Sequence, residues 1–288
     1  MNILITGARG QLGSSIKKLQ PQSKHAYFFA DLEDLDITDC EAVREYIFKH
    51  HIEVIINCAA YTNVDKAEIE KEGAYSLNAY ALQNLIDALK VNNGRIIHIS
   101  TDYVFGEPKN KHPFTENDEV NPINVYGKSK HQGEEIIRRS GLDYIIIRTA
   151  WLYSEFGQNF VKKIISLLQT QNSIKVVFDQ IGTPTYAGDL AKCIIQILDK
   201  EDFESHIGTY HFTNEGVCSW YDFAQEIKRL IGNQTTHINP CRSFEFPTPA
   251  KRPCFSVLDK SKIKKEFNLI IPYWVDSLSK CISNLDLD

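Results

Sequence analysis

The feature that most constrains this chain is an alternation of short, unbroken apolar runs with longer segments of helical period. The runs are Ile3-Leu4-Ile5, Ala26-Tyr27-Phe28-Phe29-Ala30, Val54-Ile55-Ile56, Ile96-Ile97-His98-Ile99 and Tyr144-Ile145-Ile146-Ile147; helical periods lie near 11–20, 39–50, 64–92 and 124–140. A strand that is apolar at every position has both faces covered. That is the condition of a parallel sheet sandwiched between helices, so the first half predicts a doubly wound α/β unit. At 288 residues and 43% apolar content there is also material for a second unit.

The first run leads into Gly7-Ala8-Arg9-Gly10-Gln11-Leu12-Gly13, a glycine turn between a strand and a helix. The spacing is Gly-x-x-Gly-x-x-Gly, yet the logic is that of a dinucleotide turn: glycines allow the tight bend, let backbone approach a pyrophosphate, and let helix and strand pack closely. Asp31 closes the second apolar run, 18 residues after Gly13, where an acid takes the adenosine ribose hydroxyls. A carboxylate there favours NADH, whereas Arg9 inside the turn offers a partner for the extra phosphate of NADPH, so both cofactors stay open.

After residue 150 the pattern loosens. Turn-rich stretches occupy 179–188 and 240–253, six of the ten prolines fall in this half, and only 187–199 and 219–231 read as helices. The expected organisation is a Rossmann-type NAD(P)-binding domain over 1–150 with part of 187–215. A smaller α/β substrate-binding domain would take 151–186 and 216–288. The acidic tail Asp286-Leu287-Asp288 is too short to carry a reading.

A net charge of −5 with dispersed basic residues gives no stripe for nucleic acid or anionic lipid. The chain runs into its first strand without a charged leader, and has no run of 18 apolar residues, which predicts a cytoplasmic protein. Its seven cysteines are odd in number, scattered and without metal spacing, so they read as reduced thiols with no metal site expected. Cys58, although it follows an apolar run, reads as a small buried hydrophobe rather than a nucleophile.

Tyr126 and Lys130 form a Tyr-x-x-x-Lys pair, one helical turn apart and so on one face. Free tyrosine has a pKa of about 10, and a nearby ammonium together with an oxidised nicotinamide would stabilise its phenolate. Alone, such a pair more often marks a surface helix on which tyrosine packs and lysine is solvated. Its company decides: Ser100-Thr101 lies at a strand end 25 residues before Tyr126, where the Thr101 hydroxyl can orient a substrate oxygen. His98, inside the same strand, reads as a satisfied core residue.

Six blocks in order resemble the dTDP-4-dehydrorhamnose reductase family of extended short-chain dehydrogenases: 57–68 (Asn-Cys-Ala-Ala-Tyr-Thr-Asn-Val-Asp-Lys-Ala-Glu), 100–105, 124–130, 148–153, 179–185 and 247–253 (Pro-Thr-Pro-Ala-Lys-Arg-Pro). The resemblance implies NADPH- or NADH-dependent reduction of the 4-keto group of a dTDP-linked 6-deoxy-L-hexulose, giving dTDP-L-rhamnose for surface polysaccharide. It implies that Tyr126 donates the proton, that Lys130 lowers its pKa and binds the ribose, and that Thr101 tunes the bond to the keto oxygen. Gly7, Gly10, Gln11, Leu12, Gly13, Asp31, Asp36, Ile37, Ala60, Tyr61, Thr62 and Ile99 fall where the family holds the cofactor. Thr101, Asp102 and Trp151 fall where it holds the sugar, and Arg252 could pair with the diphosphate. Asn78 resembles the asparagine that supports proton relay.

Cys58 and Tyr61 stand where relatives often carry alanine and histidine. Some members are Mg²⁺-assisted dimers, but no carboxylate cluster here calls for a metal, and monomer and homodimer both stay open. Two other readings share these motifs: another nucleotide-sugar reductase or epimerase, and a non-catalytic NADP-binding regulatory subunit. Dehydratases usually place Asp-Glu after the threonine, whereas here Thr101 is followed by Asp102-Tyr103.

Overall fold

The computed structural model describes residues 1–20, 24–107, 112–200 and 203–285, so the acidic tail lies outside the described residues. All five apolar runs form strands: β1 (Asn2–Thr6), β2 (Ala26–Ala30), β3 (Val54–Asn57), β4 (Arg95–Thr101) and β5 (Tyr144–Thr149). Later strands are β6 (Leu152–Tyr153), β7 (Ser173–Val177), β8 (Ile181–Gly182), β9 (Thr185–Tyr186), β10 (Gly208–His211), β11 (Cys218–Ser219) and β12 (His237–Cys241). The helices are α1 (Gln11–Leu19), α2 (Cys40–Lys49), α3 (Val64–Ala67), α4 (Lys71–Tyr75), α5 (Ala81–Lys90), α6 (Val125–Arg138), α7 (Phe160–Thr170), α8 (Ala187–Asp199), α9 (Trp220–Leu230), α10 (Ser261–Phe267) and α11 (Trp274–Ser283).

β10 joins the first five strands in one parallel sheet of order β2-β1-β3-β4-β5-β10. The order reverses between β1 and β3. In an open parallel sheet such a switch leaves a crevice at the strands' carboxyl ends, and the glycine turn after β1 sits there.

Alternate residues of each strand serve opposite layers. Ile3 and Ile5 pack with Ile16 of α1 and with Leu190 and Ile194 of α8; Leu4 and Ile55 pack with Val43, Ile47, Leu85 and Ile86 of α2 and α5. Both layers are aliphatic because both faces of the sheet are covered, which is the Rossmann-type, doubly wound α/β architecture expected. A separate core gathers Tyr153, Ile164, Ile165, Ile174, Phe223, Trp274 and Leu278 around α7, α9, α11 and the β7-β12 pair.

The expected helix over 64–92 is broken. Asn63 caps α3 by accepting from the Lys66 amide, and between α4 and α5 the chain makes a π-helical turn over Ser76–Tyr80. That wider turn carries Asn78, buried at 1% exposure, whose side chain braces both Tyr61 and Ser129. A period of 3.6 cannot reveal such a bulge. β10 also had no counterpart in the expectation, because Gly208-Thr209-Tyr210-His211 is not an apolar run. Its side chains are nonetheless sheltered: Tyr210 packs in the sheet core and His211 Nδ1 meets the Phe114 carbonyl at 3.1 Å.

Candidate active site

A cleft of about 910 Å³ opens at the carboxyl ends of the strands, near the upper size of ligand sites in general. At one end lies the glycine turn. Gly7 has φ +61°, and a Cβ there would stand 2.7 Å from the Ala59 amide nitrogen, so only glycine fits. Gly10 begins α1 without a side-chain cap and no acidic residue occupies the first turn, leaving the helix N-terminus suited to an anion. Gly10, Gln11 and Leu12 line the cleft, as do Asp31, Asp36 and Ile37 farther along and Ala60, Thr62 and Ile99 on the opposite wall. This cradle fits an extended dinucleotide.

Two of the expected cofactor residues are placed differently. Gly13 lies behind the turn, where a Cβ would come within 2.6 Å of the Gly7 carbonyl; its smallness seats α1 rather than lining the cleft. Tyr61 turns its ring among Ala67, Ala74 and Val125, and its hydroxyl donates to Glu70 at 2.6 Å. Only its backbone faces the region, held by Asn78. Asn78 itself is thereby a brace beneath α6, outside the lining of the cleft. Arg9 is engaged: its backbone amide donates to Asp31 at 2.8 Å, and its guanidinium lies 2.7 Å from Glu33 and 3.7 Å from Asp34.

Thr101, Tyr126 and Lys130 all line the cleft, with Tyr126 hydrogen-bonded to Thr101. Thr101 ends β4, while Tyr126 and Lys130 stand on the first turns of α6. Three contacts set the start of that helix: Asn124 caps it by accepting from Gly127 at 2.8 Å and donating to the Lys251 carbonyl at 2.9 Å, and Glu68 accepts from the Val125 amide at 2.8 Å. Burial pushes the Tyr126 phenol up to about 12, a hydrogen bond with Thr101 pulls it down, and the Asp102 carboxyl pushes it up. In the free protein the tyrosine thus keeps its proton at neutral pH. Lys130, 1% exposed, donates to the Ile99 carbonyl at 2.6 Å; burial draws its ammonium down to about 8, against the pull of Glu134 and Cys58.

The cleft is also lined by Trp151 and Trp220, their rings stacked 3.6 Å apart and 11° from parallel. Trp151 follows β5 with φ +47°, a conformation that costs a non-glycine residue roughly 1–2 kcal/mol. Gly182 lies directly under its indole. Trp220, Gly157 and Gln158 also line the cleft and had escaped the sequence reading. The signal for Trp220 was present: Ser219-x-x-Asp222 is a capping box, and it fixes the residue after Ser219 at the mouth of α9.

Asp102 is 2% exposed and accepts from the Thr101 hydroxyl at 3.0 Å, while its Oδ2 is buried without a hydrogen-bond partner. Burial pushes this carboxyl up to about 7, opposed by hydrogen bonds from Ser256 and Thr101. Arg252 reaches the cleft but its fork grips Asp65, with bonds of 3.0 and 2.8 Å. Phosphate recognition by Arg252 therefore competes with that carboxylate. Among the described residues no group of three or more His, Cys, Asp or Glu could hold a metal ion.

The family model of the RmlD substrate binding domain matches residues 1–287. A dTDP-4-dehydrorhamnose reductase of Aggregatibacter actinomycetemcomitans is 40% identical over 284 residues, covering 96% of each chain. Among solved structures, a dTDP-4-dehydrorhamnose reductase of Clostridium acetobutylicum superposes with a TM-score of 0.92 at 45% identity, covering 98% of this chain and 99% of that one. The dTDP-4-dehydrorhamnose reductase of Bacillus anthracis, solved in complex with NADP, gives a TM-score of 0.92 at 36% identity over 98% of both chains.

Proposed function

Because the chain belongs to the RmlD substrate binding domain family, that of the dTDP-4-dehydrorhamnose reductases, we propose that it reduces the 4-keto group of dTDP-4-dehydro-β-L-rhamnose to give dTDP-β-L-rhamnose. NADPH or NADH, when bound, supplies the hydride to C4 of the sugar. The observation that carries this reading is the meeting of Thr101, Tyr126 and Lys130 in a cleft whose far end is a glycine turn.

Tyr126 gives its phenolic proton to the oxygen that becomes negative as the carbonyl is reduced. The Lys130 ammonium, one helical turn away, stabilises the phenolate left behind, and the Thr101 hydroxyl orients the keto oxygen. Gly7, Gly10, Gln11 and Leu12 would receive the pyrophosphate, Asp31 the adenosine ribose, and Ala60, Thr62 and Ile99 the wall nearer the nicotinamide. Asp102 and Trp151 would hold the sugar, whose apolar face suits a flat indole. The reading assigns cofactor binding to residues 1–150 with part of 187–215 and sugar binding to 151–186 and 216–288. Support comes from β10, which joins the main sheet, and from the separate core around α7 and α9.

The reading includes a cytoplasmic monomer or homodimer that takes a nucleotide sugar and no nucleic acid, in keeping with a net charge of −5. Among the described residues no helix is long and apolar enough to cross a membrane. The test is oxidation of NADPH, and separately of NADH, on mixing the protein with dTDP-4-dehydro-β-L-rhamnose. Loss of cofactor absorbance with formation of dTDP-rhamnose is expected. Cofactor binding without oxidation would favour a regulatory subunit or another sugar.

A further inference from the structure

His98 stands in the middle of β4 between Ile97 and Ile99 and is wholly buried, at 0% exposure. An imidazole in an aliphatic strand carries a desolvation cost that isoleucine would avoid, so its nitrogens need partners. Both have them. Nδ1 lies 3.0 Å from Asn57 Nδ2, and Nε2 lies 3.2 Å from Lys130 Nζ. Asn57 Oδ1 in turn accepts from the Thr6 hydroxyl at 2.5 Å. Thr6, Asn57 and His98 belong to the adjacent strands β1, β3 and β4, so a polar chain crosses the sheet below the cleft and ends on the lysine beside Tyr126.

This chain has a direction. When Asn57 Nδ2 donates to His98 Nδ1, the imidazole proton sits on Nε2 and faces Lys130, which suits a free amine. Half a turn of the Asn57 amide reverses the order: Nδ2 then donates to the Thr6 hydroxyl, Oδ1 accepts from His98 Nδ1, and Nε2 accepts from an ammonium. His98 and Lys130 keep partners either way, while the Thr6 hydroxyl changes from donor to acceptor. The other titratable groups acting on Nζ are Cys58 after β3 and Glu134 on α6. Burial pushes the Cys58 thiol up to about 12, so it stays neutral, and Glu134 is taken up by Arg148 at 2.7 Å and Arg138 at 2.6 Å. Burial and the charge of Lys130 hold His98 well below its ordinary range, so the imidazole is neutral.

We propose that His98, backed by Asn57 and Thr6, is the positioning residue that holds Lys130 Nζ in place against β4, one helical turn from Tyr126, and accommodates both charge states of its amine. This rests on the roles given to Tyr126 and Lys130 above. Activity that needs the ammonium is present below its pKa and fades as pH rises through about 8. Removing the imidazole leaves the charge less well served, so the basic limb moves to lower pH.

The experiment compares wild type with His98→Gln, His98→Asn and His98→Leu, reading cofactor affinity, sugar KM and the pH profile of kcat. Gln keeps an amide near the Nε2 position, whereas Asn is too short to reach Nζ. The expected order is Gln within about threefold of wild type, with Leu and Asn lowered roughly tenfold or more and their basic limb displaced toward acid by about one pH unit, on the scale of one lost charge-assisted bond. Sugar KM should stay within about twofold throughout. A packing role predicts the reverse, with Leu tolerated best. That order, or an unmoved limb in every variant, overturns the proposal; if Leu does not fold, Gln against Asn decides. Absence of turnover by wild type would instead overturn the reductase reading.

Discussion

At the scale of single residues, the site sets two acids against each other. Tyr126 keeps its proton because burial disfavours the phenolate, which makes it a ready donor once a negative oxygen forms beside it. Tyr126→Phe should bind NADPH nearly as wild type does and turn over roughly 10²-fold or more slowly, as read by titration and by steady-state rates. Burial raises Asp102 as well, but only into the neutral range. Its carboxyl is raised to about 7, so the folded state holds a proton that the unfolded state releases near pH 4, and a penalty accumulates across that interval. Three pKa units correspond to about 4 kcal/mol. Asp102→Asn should therefore raise stability at pH 8 by up to about that amount and change it little at pH 4, while lowering turnover. Urea denaturation at both pH values checks this, and an equal effect at both would remove the titration from the account. The placement of Tyr126 and Lys130 on one face of α6 was legible in the sequence because a spacing of four puts two side chains on one helical face. The meeting of His98 with Asn57 and Lys130 was not, since they lie 41 and 32 residues away and come together only through strand register and helix packing.

At the scale of elements, the position of α6 decides whether Tyr126 reaches the cleft. Its first turn rests against the short turn after β4, and at Gly127 a Cβ would lie 2.1 Å from the Tyr103 carbonyl oxygen. Because that neighbour is backbone, the helix would have to move. Gly127→Ala should cost about 1–3 kcal/mol in urea denaturation and reduce turnover more than the stability change alone explains. Retained turnover would mean that the Asn124 cap and Glu68 place the helix without this contact. The strands were legible for a plain reason: β1, β3, β4 and β5 are covered on both faces, so burial writes itself as continuous isoleucine, leucine and valine. The break in 64–92 was hidden because α4, the π turn and α5 run on without a proline or glycine at the joints. α7 was missed although Val161, Ile164, Ile165 and Leu168 carry helical spacing, because the surrounding turns masked it.

At the scale of the molecule, the glycine turn and the segment after Trp151 are tied by one side chain. Gln11 donates to the Leu152 carbonyl at 3.3 Å and accepts from Ser154 Oγ at 3.1 Å and Asn159 Nδ2 at 3.0 Å, so the segment behind Trp151 hangs from the first residue of α1. Gln11→Leu should raise the sugar KM about fivefold to tenfold while cofactor affinity, which on the proposed reading would use only the Gln11 backbone, changes little; equal losses in both would assign the side chain to the cofactor instead. A second tie, Arg252 to Asp65, joins α3 to the proline-rich loop 187 residues farther along the chain. Such ties could not be read from the chain, since Gln11 looked like part of a pyrophosphate turn and Arg252 like a free phosphate ligand. The stacked Trp151 and Trp220 were half legible for the same reason: each could be placed at an element's end, but their contact depends on how segments 69 residues apart pack around one core.

The central claim is that hydride passes from nicotinamide to C4 of the sugar while Tyr126 supplies the proton at oxygen. Its most direct test is reaction with cofactor carrying deuterium in the transferred position of nicotinamide C4, followed by NMR of the sugar product in ordinary water. The account predicts dTDP-rhamnose with deuterium at C4 of the hexose, formed by wild type and, roughly 10²-fold more slowly, by Tyr126→Phe. Product without the label at C4, or full-rate product from Tyr126→Phe, would contradict it.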